Sequence, residues 1–185
     1  MSGENVEVFR TDWGWCGIAA GDAGLKRIVA PWRYGREDVL GILRGEYPHS
    51  VVRARGLSKA AGQLKKYFAG KLFEFEIPLD PDGLTRFQKS VLRSAKKIPY
   101  GGEKTYSQIA RSIGSPGAAR AIGGALARNP LPVVIPCHRV ITARGAPGGF
   151  SASGGTEQKI LLLLFEAVNL SEVKIYGGKS KSRHQ

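Results

Sequence analysis

Apolar and polar residues alternate between residues 6 and 29, with the two-residue period of a β-strand. Glycines at positions 14, 21 and 24 interrupt the alternation. The apolar positions are Val6, Val8, Trp13, Trp15, Ile18, Leu25 and Ile28. Alternation broken by glycine predicts two or three antiparallel strands joined by tight turns. Cys16 falls inside this pattern, and we interpret it as a small packed hydrophobe.

The rest of the first half has helical spacing, followed by a return of alternation. Apolar residues three and four positions apart predict helices over residues 36–44 and 60–68. The alternation over residues 72–77 predicts a further strand, and the prolines and glycine of residues 78–83 predict a linker. We therefore expect an α+β N-terminal domain over residues 1–82.

Helical spacing dominates the second half of the chain. It predicts a helix over residues 85–97 with Thr85 as its N-cap, and a short helix over residues 106–113 capped by Thr105 or Ser107. A further helix is predicted over residues 116–128, because Ser is a good N-cap and Pro suits a first helical turn. Two helices joined by a tight glycine-containing turn are the arrangement of a helix-turn-helix.

The predicted helix over residues 116–128 consists mostly of alanine and glycine, and Arg120 is the only long polar side chain near its middle. Small residues let a helix backbone approach another surface closely. That surface is either the protein's own core or a bound DNA, and the basic charge of this half favours DNA.

The chemistry of the chain is concentrated after this helix. The apolar residues 133–135 predict a buried strand that ends at Pro136 and presents Cys137, His138 and Arg139 in succession. Positive neighbours favour the thiolate, so the segment indicates an activated nucleophile. The alternative is a structural cysteine whose His and Arg neighbours face solvent.

A carboxylate in the last predicted helix completes a possible triad. Glu166 stands out in the apolar helix over residues 158–168, and an imidazole is a suitable partner for it. Cys137, His138 and Glu166 would then be nucleophile, base and orienting carboxylate. Adjacent residues of an extended chain point to opposite sides, so the thiol and imidazole meet only through a backbone turn near Pro136 or through a water. Residues 142–155 form a glycine-rich loop without the Gly-Lys-Ser/Thr signature of a phosphate-binding loop.

Charge divides the chain. Residues 1–82 hold 12 Lys and Arg against 11 Asp and Glu, whereas residues 83–185 hold 16 against 4. This asymmetry indicates a polyanionic partner, most simply nucleic acid, rather than only a solubilising basic surface.

Other bulk features exclude several classes of protein. The 185 residues are 42% hydrophobic and suffice for one large or two small globular domains. With two cysteines and scattered histidines, neither a disulfide framework nor a zinc site is expected. No apolar run spans a bilayer and no secretion signal is present, so we expect an intracellular, cytoplasmic protein without a membrane partner.

Three segments resemble one family closely. They read Ile-Pro-Tyr-Gly-Gly-Glu-Lys-Thr-Tyr-Ser-Gln-Ile-Ala, Ala-Ala-Arg-Ala-Ile-Gly-Gly-Ala and Asn-Pro-Leu-Pro-Val-Val-Ile-Pro-Cys-His-Arg-Val-Ile. These segments are similar to the O6-alkylguanine-DNA alkyltransferases, the methylated-DNA–protein-cysteine methyltransferases. The resemblance is close over residues 87–166, whereas the N-terminal half resembles the family only in its general pattern.

The resemblance implies the domain organisation and the partner. It implies a ribonuclease H-like N-terminal domain over residues 1–82 and a DNA-binding alkyltransferase domain over residues 83–171, with a basic tail over 172–185. It also implies a protein that works as a monomer without a cofactor on double-stranded DNA carrying O6-alkylguanine. The ligands of the structural zinc found in some members are missing here.

The resemblance also implies the catalytic roles. Cys137 would accept the alkyl group, and His138 would take the thiol proton through a water. Glu166 would orient His138, and Tyr106 would donate a proton to the departing guanine. Asn129 would be the hinge that ties the recognition helix to the active site.

Further residues are implied in DNA and base binding. Arg120 would replace the flipped nucleotide in the base stack, and the recognition helix would enter the minor groove. The remaining DNA-facing residues would be Ser107, Ala119 and Gly123, and the base pocket would be formed by Leu126, Val140, Phe150, Ser151 and Lys159. Two other classes stay open at this point: a thiol hydrolase with a Cys-His-Glu triad, and a DNA-binding regulator without enzymatic activity.

Overall fold

The protein combines a four-stranded sheet with a largely helical second half. The structure is a computed structural model that describes residues 3–53, 58–149 and 155–177, with residues 172–177 described by their backbone alone. The strands in these ranges are β1 (Asn5–Thr11), β2 (Gly14–Gly21), β3 (Gly24–Val29), β4 (Val51–Val52), β5 (Lys104–Thr105) and β6 (Val140–Ile141). The helices are α1 (Arg36–Glu46), α2 (Lys59–Phe68), α3 (Arg86–Lys96), α4 (Tyr106–Ser112), α5 (Ala119–Ala127) and α6 (Gly155–Gly177). No helix in these ranges is long and apolar enough to cross a membrane.

The first three strands form an antiparallel meander, which confirms the prediction from the alternating pattern. β2 lies between β1 and β3, and β4 joins the outer edge of β1 in parallel. The two faces of the sheet bury different side chains, because neighbouring residues of a strand point to opposite faces. α1 covers one face through Val39 and Leu43, while Cys16 is fully buried in the core on the other face with Leu64 of α2.

The helices of the second half begin largely where their capping residues predict. Thr85 and Thr105 each accept a hydrogen bond from the backbone of the third helical residue, and α3 and α4 follow them. The predicted start of the next helix at Pro116 is wrong, because α5 begins at Ala119. Gly117 has a φ of 90° and belongs to a turn that Ala118 closes by donating to the Ser115 carbonyl, so the chain is not yet helical there.

The predicted strand over residues 72–77 is also wrong, because this segment is an irregular connection. Its backbone lacks a partner strand, and the side chain of Gln63 bonds both the N–H and the carbonyl of Glu76 instead. The alternation serves side-chain packing: the rings of Phe73 and Phe75 lie 4.8 and 5.5 Å from those of Tyr100 and Tyr67. The pairing resumes only at a single bridge between Leu25 and Leu79.

One hydrophobic core joins the N-terminal sheet to the helices of the second half. The buried residues of β1, β2 and α2 continue into those of α3, α4 and α5. The N–H of Ile28 in β3 donates to the Pro130 carbonyl at 2.9 Å, and the rings of Trp13 and Phe165 lie 5.0 Å apart. The N-terminal half therefore forms the wall against which the Pro130–Cys137 segment and α6 pack.

A pair of glycine substitutions tests how closely α1 packs on the sheet. A Cβ on Gly17 of β2 would collide with Val39 and lie 2.8 Å from a methyl group of Leu43, whereas a Cβ on Gly41, on the exposed side of α1, would meet no atom within 4 Å. We expect Gly17→Ala to lower the free energy of unfolding by about 1–3 kcal/mol through overpacking. Gly41→Ala should raise it by up to about 1 kcal/mol, because alanine favours the helix. Urea unfolding measures both, and equal effects would contradict the tight contact.

Candidate active site

A proline-rich turn presents Cys137. The buried strand predicted over residues 133–135 is wrong: Val133 has a φ of 75°, and the Ile135 N–H donates to the Leu131 carbonyl at 2.8 Å. Prolines at positions 130, 132 and 136 lack the N–H that a strand needs, so the segment folds back on itself. Cys137–Arg139 then form a single 3₁₀ turn, and the strand β6 starts only after it.

Asn129 connects the end of α5 to this turn. Its side-chain amide donates to the Ile135 carbonyl at 2.8 Å and to Cys137 Sγ at 3.2 Å, while its oxygen accepts from the Leu131 N–H at 3.0 Å. The same side chain thus shapes the turn and contacts the thiol. The position fits the hinge implied by the sequence resemblance.

The thiol of Cys137 is nearly buried, with 6% of the residue exposed. Burial raises its pKa, and the Asn129 hydrogen bond and the charge of Lys159 only partly oppose this effect. The expectation that Arg139 favours the thiolate is not met, because its guanidinium binds Glu166 and the Ile98 carbonyl instead. The thiol therefore keeps its proton at neutral pH, and its reaction requires a base.

Glu166 is the centre of the buried polar network. Its carboxylate is fully buried in α6 and receives hydrogen bonds from both halves of the chain. One oxygen accepts from Tyr67 Oη at 2.7 Å, His138 Nε2 at 2.8 Å and Arg139 Nη2 at 2.8 Å; the other accepts from the Gly101 N–H and Arg139 Nε, each at 2.9 Å. Burial alone would raise the pKa of Glu166, but the hydrogen bonds and charges of His138 and Arg139 hold it well below its usual range. The carboxylate is therefore ionised.

This ionised carboxylate determines the tautomer of His138. Because Glu166 can only accept, His138 Nε2 must carry a hydrogen, and the lone pair of the neutral ring lies on Nδ1. Burial lowers the pKa of His138, so the ring is neutral at pH 7. Nδ1 is buried and has no hydrogen-bond partner among the described residues. The imidazole thus has a free basic nitrogen, and the neighbouring residue in the sequence, Cys137, carries the thiol.

Lys159 and Tyr106 form a second pair beside Cys137. Lys159 is 1% exposed, and its ammonium donates to the Val140 carbonyl at 2.6 Å and lies 5.6 Å from the centre of the Tyr106 ring. Burial lowers the pKa of Lys159 to about 8. Burial raises the pKa of Tyr106, and the nearby Cys137 raises it further. Tyr106 therefore keeps its proton at neutral pH. A cation and a phenol, both potential proton donors, flank the thiol.

A cavity of about 720 Å³ opens above these groups. It lies between α4, α5 and the loop after β6, and Cys137 borders it together with Tyr106. Arg120 is exposed on α5. The other sequence-predicted residues that line the cavity are Ser107, Ala119, Arg120, Gly123 and Leu126. Val140 and Lys159 are buried next to it, whereas Phe150 and Ser151 lie outside the described residues.

The contacts of three groups with Glu166 were not predicted from the sequence. Tyr67 lies 99 residues away in the predicted N-terminal domain, and its aromatic pattern indicated only a packed helix face. Gly101 contributes a backbone N–H, which no side-chain motif can reveal. Arg139 was noticed, but only as a neighbour of Cys137. The contact between Arg139 and Glu166 could have been predicted, because a buried carboxylate needs a cation and Arg139 is part of the same segment as His138.

The described residues contain no group of three or more His, Cys, Asp or Glu positioned to hold a metal ion.

Comparisons with known proteins decide the family. Residues 86–168 match the model of the 6-O-methylguanine DNA methyltransferase DNA binding domain. The chain is 49% identical over 154 residues to the methylated-DNA–protein-cysteine methyltransferase of Methanosarcina barkeri, covering 83% of this chain and 90% of that one. The chain belongs to the methylated-DNA–protein-cysteine methyltransferase family. A second relative with this name, from Methanosarcina acetivorans, is 42% identical over 80% of this chain and 88% of its own length.

Solved structures of the methyltransferase family agree with this assignment. The O6-methylguanine methyltransferase of Mycobacterium tuberculosis superposes with a TM-score of 0.73 at 33% identity, over 90% of this chain and 94% of that one. A structure of the Mycobacterium tuberculosis protein in complex with DNA gives a TM-score of 0.74 at 34% identity, over 89% and 94% of the two chains. The α+β fold and the methyltransferase activity predicted from the sequence are thereby confirmed.

Removal of the Tyr67 hydroxyl tests whether this side chain tunes the methyltransferase site. In Tyr67→Phe one oxygen of Glu166 loses a donor, so the carboxylate binds His138 more strongly and the pKa of His138 rises. We expect a loss of about 1.5–3 kcal/mol in the free energy of unfolding. An NMR titration of the His138 ring measures the pKa.

Tyr100→Phe is the matched control, because the Tyr100 hydroxyl bonds Asn169 and not the carboxylate. The His138 pKa should be unchanged in this variant. A Tyr67→Phe protein with an unshifted His138 pKa would leave Tyr67 a purely structural residue.

Proposed function

We propose that this protein repairs double-stranded DNA by transferring the alkyl group of O6-alkylguanine to its own Cys137, once per protein molecule. The observation that carries the proposal is the position of Cys137. Its thiol borders a cavity large enough for a base, and it lies beside a neutral histidine that an ionised Glu166 orients. This is the arrangement of an activated nucleophile within a family named for alkyl transfer to cysteine.

The transfer is a displacement at the alkyl carbon. The bond between Cys137 Sγ and that carbon forms while the bond between the carbon and O6 of guanine breaks, and the electron pair of the broken bond stays with guanine. The thiol proton passes to His138 Nδ1 through a water, which is supported by the raised pKa of Cys137 and the free lone pair of the imidazole. Glu166 balances the positive charge that His138 then carries.

Guanine leaves more easily when its charge is neutralised. Tyr106 is proposed to donate its proton to the guanine ring, and the hydroxyl already lies at the cavity beside the Gly149 carbonyl at 3.4 Å. The ammonium of Lys159 near the Tyr106 ring stabilises negative charge that develops on the phenol. The Val140 and Cys137 carbonyls, Ser151 and the walls formed by Leu126 and Phe150 complete the proposed base pocket.

DNA binding is assigned to α4 and α5. Apart from Arg120 and Leu126, the cavity-facing residues of α5 are alanine and glycine, so this helix fits the narrow minor groove. Arg120 would fill the space left by the flipped nucleotide, and Ser107, Ala119 and Gly123 would face the backbone. Asn129 would couple this helix to the active-site turn. The DNA complex of the Mycobacterium tuberculosis relative supports DNA as the partner.

The proposed domain organisation keeps the boundaries expected from the sequence. Residues 1–82 would be a ribonuclease H-like domain, which is supported by an antiparallel β1–β3 meander with β4 added in parallel beside β1. Residues 83–171 would be the DNA-binding alkyltransferase domain, followed by the basic tail over 172–185.

The stoichiometry of transfer tests the function. After incubation with excess O6-methylguanine duplex, mass spectrometry should find one methyl group per protein, on the peptide that contains Cys137. Cys137→Ala should abolish the transfer. Cys16→Ala is the matched control and should still react, because Cys16 is buried in the core, where burial raises the pKa of its thiol well above the usual range and no substrate reaches it. Turnover beyond one methyl group per protein would indicate a hydrolase instead.

Substitution of Arg120 tests base flipping. We expect Arg120→Ala to slow repair of duplex DNA by about 10- to 100-fold, because the extruded base is no longer replaced and unstacking costs a few kcal/mol. The reaction with free O6-benzylguanine should change by less than about twofold, since a free base needs no flipping.

Arg128→Ala removes the same charge from the end of the same helix, outside the cavity lining. Rates from quenched-flow transfer assays should show a smaller loss for this control. Equal losses on duplex and free base in Arg120→Ala would contradict the flipping role.

A further inference from the structure

The exposed side of helix α6 is apolar. Between residues 158 and 170 the only charged residues are Lys159 and Glu166, and both are buried. The exposed residues of this stretch are Ile160, Leu161, Leu164, Ala167 and Val168, which we call the α6 apolar face. The four larger ones are each between 41% and 57% exposed. A helix that is apolar on all sides is normally buried on all sides, and an exposed apolar patch marks an interaction surface.

The residues of this side are spaced like those of a coiled-coil seam. Residues 157, 160, 164, 167 and 171 follow one another at intervals of three, four, three and four, and all five are exposed. Two helices that pack against each other along a seam use this repeat. Leu161 and Val168 lie beside the seam and widen its apolar part. The α6 apolar face therefore has the form that receives another helix.

The face is complementary to itself when two copies of α6 run antiparallel about Leu164. Ile160 then lies opposite Val168 of the second copy, and Leu161 lies opposite Ala167, so a larger side chain meets a smaller one on each level. At the ends of the seam Glu157 lies opposite Ser171. A parallel pair would instead bring two Glu157 carboxylates together, and like charges at a helix pair oppose association. The charge pattern thus favours the antiparallel arrangement.

We propose that two copies of this protein associate through their α6 apolar faces as an antiparallel, two-fold symmetric pair of helices. The contact is isologous, because the same patch is used on both copies. The chain carries a net charge of +13, and the uncharged face is where two such chains approach with little repulsion. The dimer would replace the monomer expected from the family resemblance.

Other occupants of the face are less suitable. No helix of the described ranges is long and apolar enough to cross a membrane, so the apolar surface of α6 does not belong to a membrane span. Residues 178–185 contain no apolar side chain, so the end of the chain lacks the residues that would cover the face. A second copy supplies a face of matching shape and charge.

The α6 apolar face lies away from the active-site groups of the same helix. At 100° per residue, Lys159 and Glu166 are about 140° and 160° around the helix from Leu164. The described residues that line the cavity beside Cys137 include none from α6. Association through this face therefore uses no residue of the proposed methyl-transfer machinery, and the proposal does not depend on that function.

Sedimentation velocity of the full-length, nuclease-treated protein tests the dimer. A single pair of helices buries less than the roughly 1,600 Å² of a standard interface, so we expect a weak dimer with a Kd of about 10–100 µM. Leu164→Glu should raise this Kd at least about tenfold, because it places two carboxylates together on the two-fold axis. Association of the wild type should not weaken as salt rises from about 0.1 to 0.5 M, because it is apolar and salt screens the repulsion between the chains.

A mixing experiment tests the register of the pair. Leu164→Lys should also be monomeric by itself, but an equimolar mixture of Leu164→Glu and Leu164→Lys should form a heterodimer, because opposite charges then meet on the axis. Val51→Glu is the matched control: Val51 is 62% exposed on β4, and its replacement should change the Kd of the dimer by less than about twofold. Circular dichroism and methyl transfer to Cys137 verify that the variants fold.

Four results would overturn the proposal. They are a wild-type protein that stays monomeric up to about 500 µM, well above the expected Kd; equal weakening by Val51→Glu and Leu164→Glu; a mixture of the two Leu164 variants that stays monomeric; and binding to anionic phospholipid vesicles that Leu164→Glu abolishes while the wild type is monomeric in solution. The last result would identify a lipid surface as the occupant of the face. A dimeric wild type that transfers no methyl group would refute the proposed function and leave the dimer standing.

Discussion

The buried carboxylate of Glu166 is the interaction on which the rest of the structure depends. A lone carboxylate in a protein interior is strongly unfavourable, so the chain must surround it with donors. Those donors come from the N-terminal half (Tyr67), from the connection after α3 (Gly101) and from the active-site turn (His138 and Arg139). Satisfying one charge thus fixes three separate parts of the chain relative to α6.

The chemistry at Cys137 follows from the same charge. Glu166 selects the tautomer of His138 and leaves Nδ1 as the basic nitrogen. The positive charge of Arg139 compensates the negative charge of the carboxylate and so keeps Glu166 ionised. The N-terminal half thereby helps to position His138, because Tyr67 is one of the groups that hold the carboxylate of Glu166. This accounts physically for a core shared between both halves of the chain.

The sequence pattern was informative where local interactions decide the structure. Alternation with glycines identified the meander, and Thr85 and Thr105 identified two helix starts through their capping bonds. It failed where a non-local or backbone contact takes over. At residues 72–77 the partner of the backbone is the side chain of Gln63, and at residues 133–135 three flanking prolines prevent a strand. The triad residues were named because they are chemically distinctive, whereas the Gly101 N–H and the Tyr67 hydroxyl become visible only when the chain is folded.

The neutral state of the Cys137 thiol has a consequence for the lifetime of the protein. Oxidants and soft electrophiles in a cell react with thiolates much faster than with thiols, and the raised pKa of Cys137 keeps the thiolate population low. A protein whose nucleophile is consumed by a single reaction loses its use if that nucleophile reacts prematurely. Burial of the Cys137 thiol therefore protects the sulfur from premature oxidation and alkylation.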